Sequence, residues 1–185
     1  MKPEESRSRD ELVAAVDAGA RPKYVHFWGH TPRRPGKLDK SCFSQWFPAP
    51  FDADGERFAT AEHYMMWSKA VLFGDHKVAA EILAAPTPGA AKALGRMVAG
   101  FSETAWVSRR SAIVISASIA KFGSNPMLRD FLLATGDRVL VEASPHDPIW
   151  GIGMAESNPA AATPSEWRGL NLLGFALIEA RTQLA

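Results

Sequence analysis

Cysteine is nearly missing from this chain. Cys42 stands alone in 185 residues, so no internal disulfide can form, and a reducing compartment fits. Metal-ligand spacing is sparse as well: no C-x-x-C occurs, and of the 5 scattered histidines only His26 and His30 stand four apart, which is too little for a zinc pattern. Neither sign of charge is in excess. A formal net charge of +1 gives no electrostatic argument for nucleic acid or an anionic membrane, although a local basic pocket stays open. Long apolar runs are absent, since an uncharged apolar-leaning run such as Ser111–Ala120 is far too short to span a bilayer. The opening residues, MKPEESRSRDEL, are charged from the start and do not read as a secretory signal. Together these absences predict a cytoplasmic protein with no membrane partner. There is no G-x-S-x-G elbow, no P-loop and no G-x-G-x-x-G after a strand, and W-G-I-G at Trp150–Gly153 is too short for a phosphate loop.

What is present reads as an ordinary globular chain, 46% hydrophobic and 22% charged, with no repeat or composition shift to mark a second domain. A short helix fits Asp10–Ala18, stopped by Gly19, after a polar end over residues 1–9 that should fray. Tyr24–Gly29 is aromatic and β-branched and reads as a strand. The loop Thr31–Lys40 brings Arg33, Arg34, Lys37 and Lys40, either as solvated charges or as phosphate contacts. A turn at Asp52–Gly55 predicts a hairpin over 51–58. Helices are expected from Thr60, from Asp75 to Ala84, from Thr87-Pro88 to about Val98, and from Asn125-Pro126 to Gly136. Ser102 opens another through Phe122, with a β-branched middle that also admits a strand. Arg138–Ala143 reads as a strand, Ser144–Gly153 as a loop and residues 158–166 as a surface loop; a helix over Trp167–Leu184 closes the chain. The expected fold is mainly α, a single compact helical domain with a few short β-strands. An α+β description also holds if those strands share one sheet.

The densest chemistry is T-A-E-H-Y-M-M-W-S-K at Thr60–Lys69. With Thr60 as N-cap, Glu62 and Lys69 lie seven residues apart, close to two helical turns, and share a face. They are either an active-site edge or a carboxylate matched to the macrodipole and a surface cation. Asp147 either makes an Asx turn or serves a site, and Asn171 either satisfies backbone groups or binds a ligand. His63 reads first as a packed histidine, and Arg109, Arg110 and Lys121 as helix-surface cations. The tryptophans Trp28, Trp46, Trp67, Trp106, Trp150 and Trp167 are either core or walls for a flat ring.

The order of several motifs is more specific. F-W-G at Phe27–Gly29, F-S-Q-W-F-P at Phe43–Pro48, T-A-E-H-Y at Thr60–Tyr64 followed by Lys69, and L-F-G-D at Leu72–Asp75 come first. They are followed by K-F-G-S-N-P at Lys121–Pro126, T-G at Thr135–Gly136, L-V-E-A-S-P-H-D-P-I-W-G-I-G at Leu140–Gly153, and W-R-G-L-N-L-L-G at Trp167–Gly174. In this order they resemble the YbiA-like, or NADAR, family from about Tyr24 to Leu184. The chain departs from the family pattern at Gln45-Trp46, where F-S-N-F is usual, and at Met65–Ser68 before Lys69.

The resemblance implies a NADAR domain over 23–185 behind an N-terminal extension, 1–22, that carries the short helix. It implies N-glycoside chemistry on a ribosylated base, with no cofactor and no metal. Glu62, Lys69, Trp106, Asp147, Trp150 and Asn171 match the family's polar pocket. Glu62, Lys69 and Asp147 are expected to be catalytic, and Phe43, Trp46, His63, Tyr64, Trp106, Trp150, Gly151 and Asn171 to contact substrate. Glu62 then acts as acid or base, Lys69 as imine nucleophile or electrostatic clamp, and Asp147 orients ribose or water. The leading substrate is a ribosylamino-pyrimidine phosphate of riboflavin biosynthesis. A second reading is removal of ADP-ribose from guanine, with nucleic acid as partner, and a third is a non-catalytic module for NAD or ADP-ribose. Nothing in the sequence specifies an oligomeric state.

Overall fold

The computed structural model describes residues 2–185. Among them are seven α-helices: α1 (Arg9–Asp17), α2 (Ala61–Leu72), α3 (His76–Leu83), α4 (Pro88–Gly95), α5 (Glu103–Gly123), α6 (Pro126–Leu133) and α7 (Leu172–Leu184). The strands are β1 (Tyr24–Phe27), β2 (Phe51–Ala53), β3 (Glu56–Phe58) and β4 (Val139–Glu142). The mainly α expectation holds. Six of the helices start under a side-chain cap, with Ser8, Thr60, Asp75, Thr87, Ser102 and Asn125 each accepting the N–H three residues on. Each such cap stabilises its helix by about 1 kcal/mol. In α5 the helix prevails over the β-branched middle. Propensity costs only tenths of a kcal/mol per residue, whereas the helical stripe buries Val114, Ala117 and Phe122 completely.

The strands do not share one sheet. β2 and β3 form a hairpin with Phe51 opposite Phe58, turned through Asp54 and Gly55, both at positive φ (51° and 82°), as a type I′ turn requires. β1 and β4 form a separate parallel pair, Tyr24 opposite Val139 and Phe27 opposite Glu142. The core lies under this pair, where Phe43 packs against Phe27, Phe122 and Phe131. Both parallel strands end at one edge, the place where parallel sheets commonly hold ligands.

Three local expectations are corrected. The segment before α1 is tied down rather than frayed: Ser6 is buried, Arg7 pairs with Glu179 of α7, and Leu12 of α1 enters the main core. The stretch 158–166 is not wholly surface, since Ala161 and Pro164 are buried within two short 3-10 turns. The last helix begins at Leu172, not Trp167. Residues 168–173 are instead laddered onto the loop before them, with Arg168 N–H donating to Ile152 O (3.0 Å), Leu170 N–H to Pro148 O (3.0 Å) and Asn171 N–H to Gly151 O (3.0 Å). This approach is close enough that a Cβ on Gly169 would stand 2.3 Å from Gly151 O. A helix there would have to give up these non-local hydrogen bonds.

Candidate active site

Three helices each present a face at i, i+3, i+4 spacing to one cavity of about 660 Å³. From α2 come Glu62, Met65, Met66 and Lys69; from α4, Lys92, Gly95 and Arg96; from α5, Glu103, Trp106 and Arg110. The parallel strands supply the rest of the wall, Trp28 just past the end of β1 and Glu142 at the end of β4. Ser44, Gln45 and Trp46 line it too, on a segment pinned by Lys121, whose Nζ donates to Cys42 O (2.6 Å) and Ser44 O (2.8 Å). Burial pushes this lysine down to about 7. Asp147 and Trp150 close the cavity from the loop after β4.

The floor is acidic and unsatisfied. Glu62 is 2% exposed, and burial lifts its pKa to about 7 against the pull of Lys92, Trp46 and Arg96; Asp147 adds to the rise. Glu142 is lifted to about 8, first by burial and then by the carboxylates of Asp147 and Glu62. Glu62 Oε1, Glu142 Oε2 and Gln45 Oε1 are buried without a hydrogen-bond partner, while Gln45 Nε2 reaches only Met65 Sδ (3.7 Å). Each such orphan costs about 1–3 kcal/mol, so three of them on one cavity mark a place where a ligand completes the hydrogen bonding.

Lys69 occupies an aromatic box. Its Nζ donates to Gly95 O (2.8 Å) and stands 4.2 Å from the Phe101 ring centre and 5.7 Å from that of Trp106. Burial lowers its pKa, opposed by Glu103, while the carbonyl and the ring faces favour the ammonium. Asp147 does make the Asx turn, Oδ1 accepting from Ile149 N (2.9 Å) and Trp150 N (2.8 Å), and it lines the cavity as well.

The structure thus brings together Glu62, Lys69, Asp147, Trp46, Trp106 and Trp150. It places five other sequence-predicted residues elsewhere. Phe43 lies in the aromatic core. His63 is buried, its Nε2 3.1 Å from Ala85 O and its Nδ1 2.8 Å from the Thr60 hydroxyl. Tyr64 donates to Asp54 Oδ2 (2.7 Å) within the cluster around Phe51 and Phe58. Gly151 lets the loop fold back on β4, where a Cβ would stand 2.8 Å from Glu142 O. Asn171, 0% exposed, spends its amide on β4, accepting from Glu142 N (2.9 Å) and donating to Leu140 O (3.0 Å).

Glu142, Lys92 and Arg96 went unnoticed in the sequence, Gln45 stood out only as a departure from the family pattern, and Arg110 read as a helix-surface cation. Glu142 had a signal, as the one charge ending an apolar strand. Arg110 had another, four residues after Trp106 and four before the buried Val114. Among the described residues no three of His, Cys, Asp and Glu gather closely enough to hold a metal ion, and no helix is long and apolar enough to cross a membrane.

The family model described as the NADAR domain matches residues 26–185. An N-glycosidase of Acanthamoeba polyphaga mimivirus is 40% identical over 166 residues, 87% of this chain and 96% of its own. The N-glycosidase YbiA of Escherichia coli K12 is 34% identical over 147 residues, 80% and 81% of the two chains. The solution structure of Escherichia coli YbiA superposes with a TM-score of 0.71 at 29% identity, over 89% of this chain and 86% of that one.

Proposed function

The chain belongs to the NADAR family, and from that premise we propose that it is an N-glycosidase hydrolysing the ribosyl C–N bond of ribosylamino-pyrimidine phosphates, the unstable early intermediates of riboflavin biosynthesis. The observation that carries this reading is the convergence of three unpartnered acceptor oxygens, on Gln45, Glu62 and Glu142, in a cavity walled by tryptophan.

Breaking the bond sends its electron pair to nitrogen, which must take up a proton, and leaves positive charge at C1′ until water adds and gives up a proton. Both ends of that exchange need carboxyl groups that change protonation near neutral pH. Glu142, pushed up to about 8, is held as the acid and supplies the departing nitrogen with its proton. Glu62, at about 7, is available as base to the incoming water. The two sit within each other's field and titrate as a pair. The second oxygen of Asp147, left over from its turn, faces C1′ or the water. Trp46, Trp106 and Trp150 flank the flat base, and Lys69 acts from its aromatic box, as a clamp on the sugar or as an imine-forming amine.

A specific feature favours a second reading, release of ADP-ribose from guanine. Trp28, 61% exposed, lines both this cavity and a neighbouring one of about 230 Å³ that carries Arg33, Lys40 and Ser41 beside Asp39 and Glu156, the last paired with Lys40, which would extend the site for a longer substrate. The test is chromatographic: purified protein offered the ribosylamino-pyrimidine phosphate and ADP-ribosyl-guanosine side by side. Free base from the first is expected. Release from the second alone transfers the assignment to the second reading, and binding of either without product makes the chain a non-catalytic module.

A further inference from the structure

Arg110 is the anomaly of the cavity wall. It lies in the middle of α5, 8% exposed and facing the cavity, yet among the described residues its guanidinium meets no hydrogen-bond acceptor and no carboxylate. Its nitrogens are not among the solvent-shielded unpartnered atoms, so they open onto the cavity, and a guanidinium brings five N–H donors in a fixed fork shaped for carboxylate or phosphate oxygens.

The other cations of the wall are placed differently. Lys69 is held by Gly95 O and Phe101, whereas Lys92, near the Trp46 ring, and the exposed Arg96 act on Glu62 through their fields and are less buried than Arg110. Arg110 stands on α5, whereas the two carboxyl groups come from α2 and β4, and it forms no ion pair with either of them. The wall carries four cations, Lys69, Lys92, Arg96 and Arg110, against four carboxyl groups, and two of those, Glu62 and Glu142, are pushed toward their neutral form. The balance inside the cavity is therefore positive although the chain as a whole is near neutral.

We propose that Arg110 grips the phosphoryl group on the ribose 5′ oxygen of the substrate and so makes the site specific for phosphorylated ribosides. The assignment rests on the N-glycosidase reading for its substrate, but not for its chemistry. A phosphoryl group accepts two parallel N–H bonds from one guanidinium, which a lysine cannot reproduce. The same contact is offered by a terminal 5′-phosphate and by the diphosphate of an ADP-ribosyl group.

Turnover of the 5′-phosphorylated substrate and of its dephosphorylated counterpart is compared for wild type, Arg110→Gln and Arg110→Lys. The expected result is a rise of about a hundredfold in KM for the phosphorylated substrate in Arg110→Gln, a smaller rise in Arg110→Lys, and unchanged kcat/KM for the dephosphorylated one. Equal losses on both substrates, or no loss on either, overturn the proposal. Calorimetric titration with ribose 5-phosphate and, in a separate arm, ADP-ribose is independent of turnover. Binding of one or both to wild type that is lost in Arg110→Gln upholds the subsite even if no riboside is hydrolysed, and shows which phosphate it takes. Failure of wild type to bind either overturns it.

Discussion

Replacing Glu62 by glutamine should stabilise the protein while disabling it, and both effects should grow with pH as the carboxyl ionises. Glu62 ionises near 4.5 in an unfolded chain and at about 7 in the fold. The gap, 7 − 4.5 = 2.5, corresponds at 1.36 kcal/mol per pH unit to about 3 kcal/mol. The sign follows from which form burial penalises. Below about pH 4.5 the carboxyl is protonated folded and unfolded, and the difference vanishes. Above about pH 7 the fold must hold a buried carboxylate, and the full penalty applies. Glutamine keeps the shape of the protonated form and never ionises. Glu62→Gln should therefore match wild type in urea melts at pH 4.5 and exceed it by about 3 kcal/mol at pH 8.5, a rise in Tm of about 6–12 °C for a chain of this size. Turnover should fall by about 10²–10⁴ above pH 7, where wild-type Glu62 is ionised and can act as base, and by less as the pH drops below it. Equal stability at both pH values would refute the reasoning about burial. Near-normal turnover would refute the role in catalysis.

Lys69→Ala should keep the fold, since the side chain is only half-buried, and lose turnover; borohydride treatment with substrate that yields an adduct in wild type but not in the variant identifies an imine, and no adduct leaves the electrostatic clamp. Asn171→Ala strands Glu142 N–H and Leu140 O and puts alanine at φ +55°, so a loss of roughly 3 kcal/mol or more is expected in denaturation curves; a raised KM at unchanged stability would instead make Asn171 a ligand contact.

Much of the fold could be read from local chemistry. Helix starts were visible because Ser, Thr, Asp and Asn cap the N–H three residues later, an interaction contained in a few consecutive letters. Glu62 and Lys69 shared a face for the same reason, since helical spacing is a local property. The α7 boundary was hidden because residues 168–173 bond to residues 148–152 rather than to their own neighbours. The same non-local ladder explains Asn171, whose polar side chain suggests ligand contact but in the fold belongs to β4. His63 and Tyr64, adjacent to Glu62 in the motif, point away from it because neighbours on a helix are about 100° apart. The cationic members of the wall were missed for a related reason. Lys92, Arg96 and Arg110 look like ordinary helix-surface charges until α4 and α5 are set beside α2.

The parallel pairing of β1 with β4 also governs how the molecule comes into being. The paired residues Tyr24 and Val139 are 139 − 24 = 115 positions apart. At about 5–20 residues per second of synthesis, β1 waits roughly 6–23 s for its partner to be made. During that interval the Tyr-Val-His-Phe strand has an open edge, and the segment carrying Trp28 has no opposing Glu142. Glu142 cannot acquire its raised pKa before the pair closes, because the burial responsible for the rise does not yet exist. A chain arrested before residue 142 would thus hold an exposed strand edge and an incomplete cavity floor.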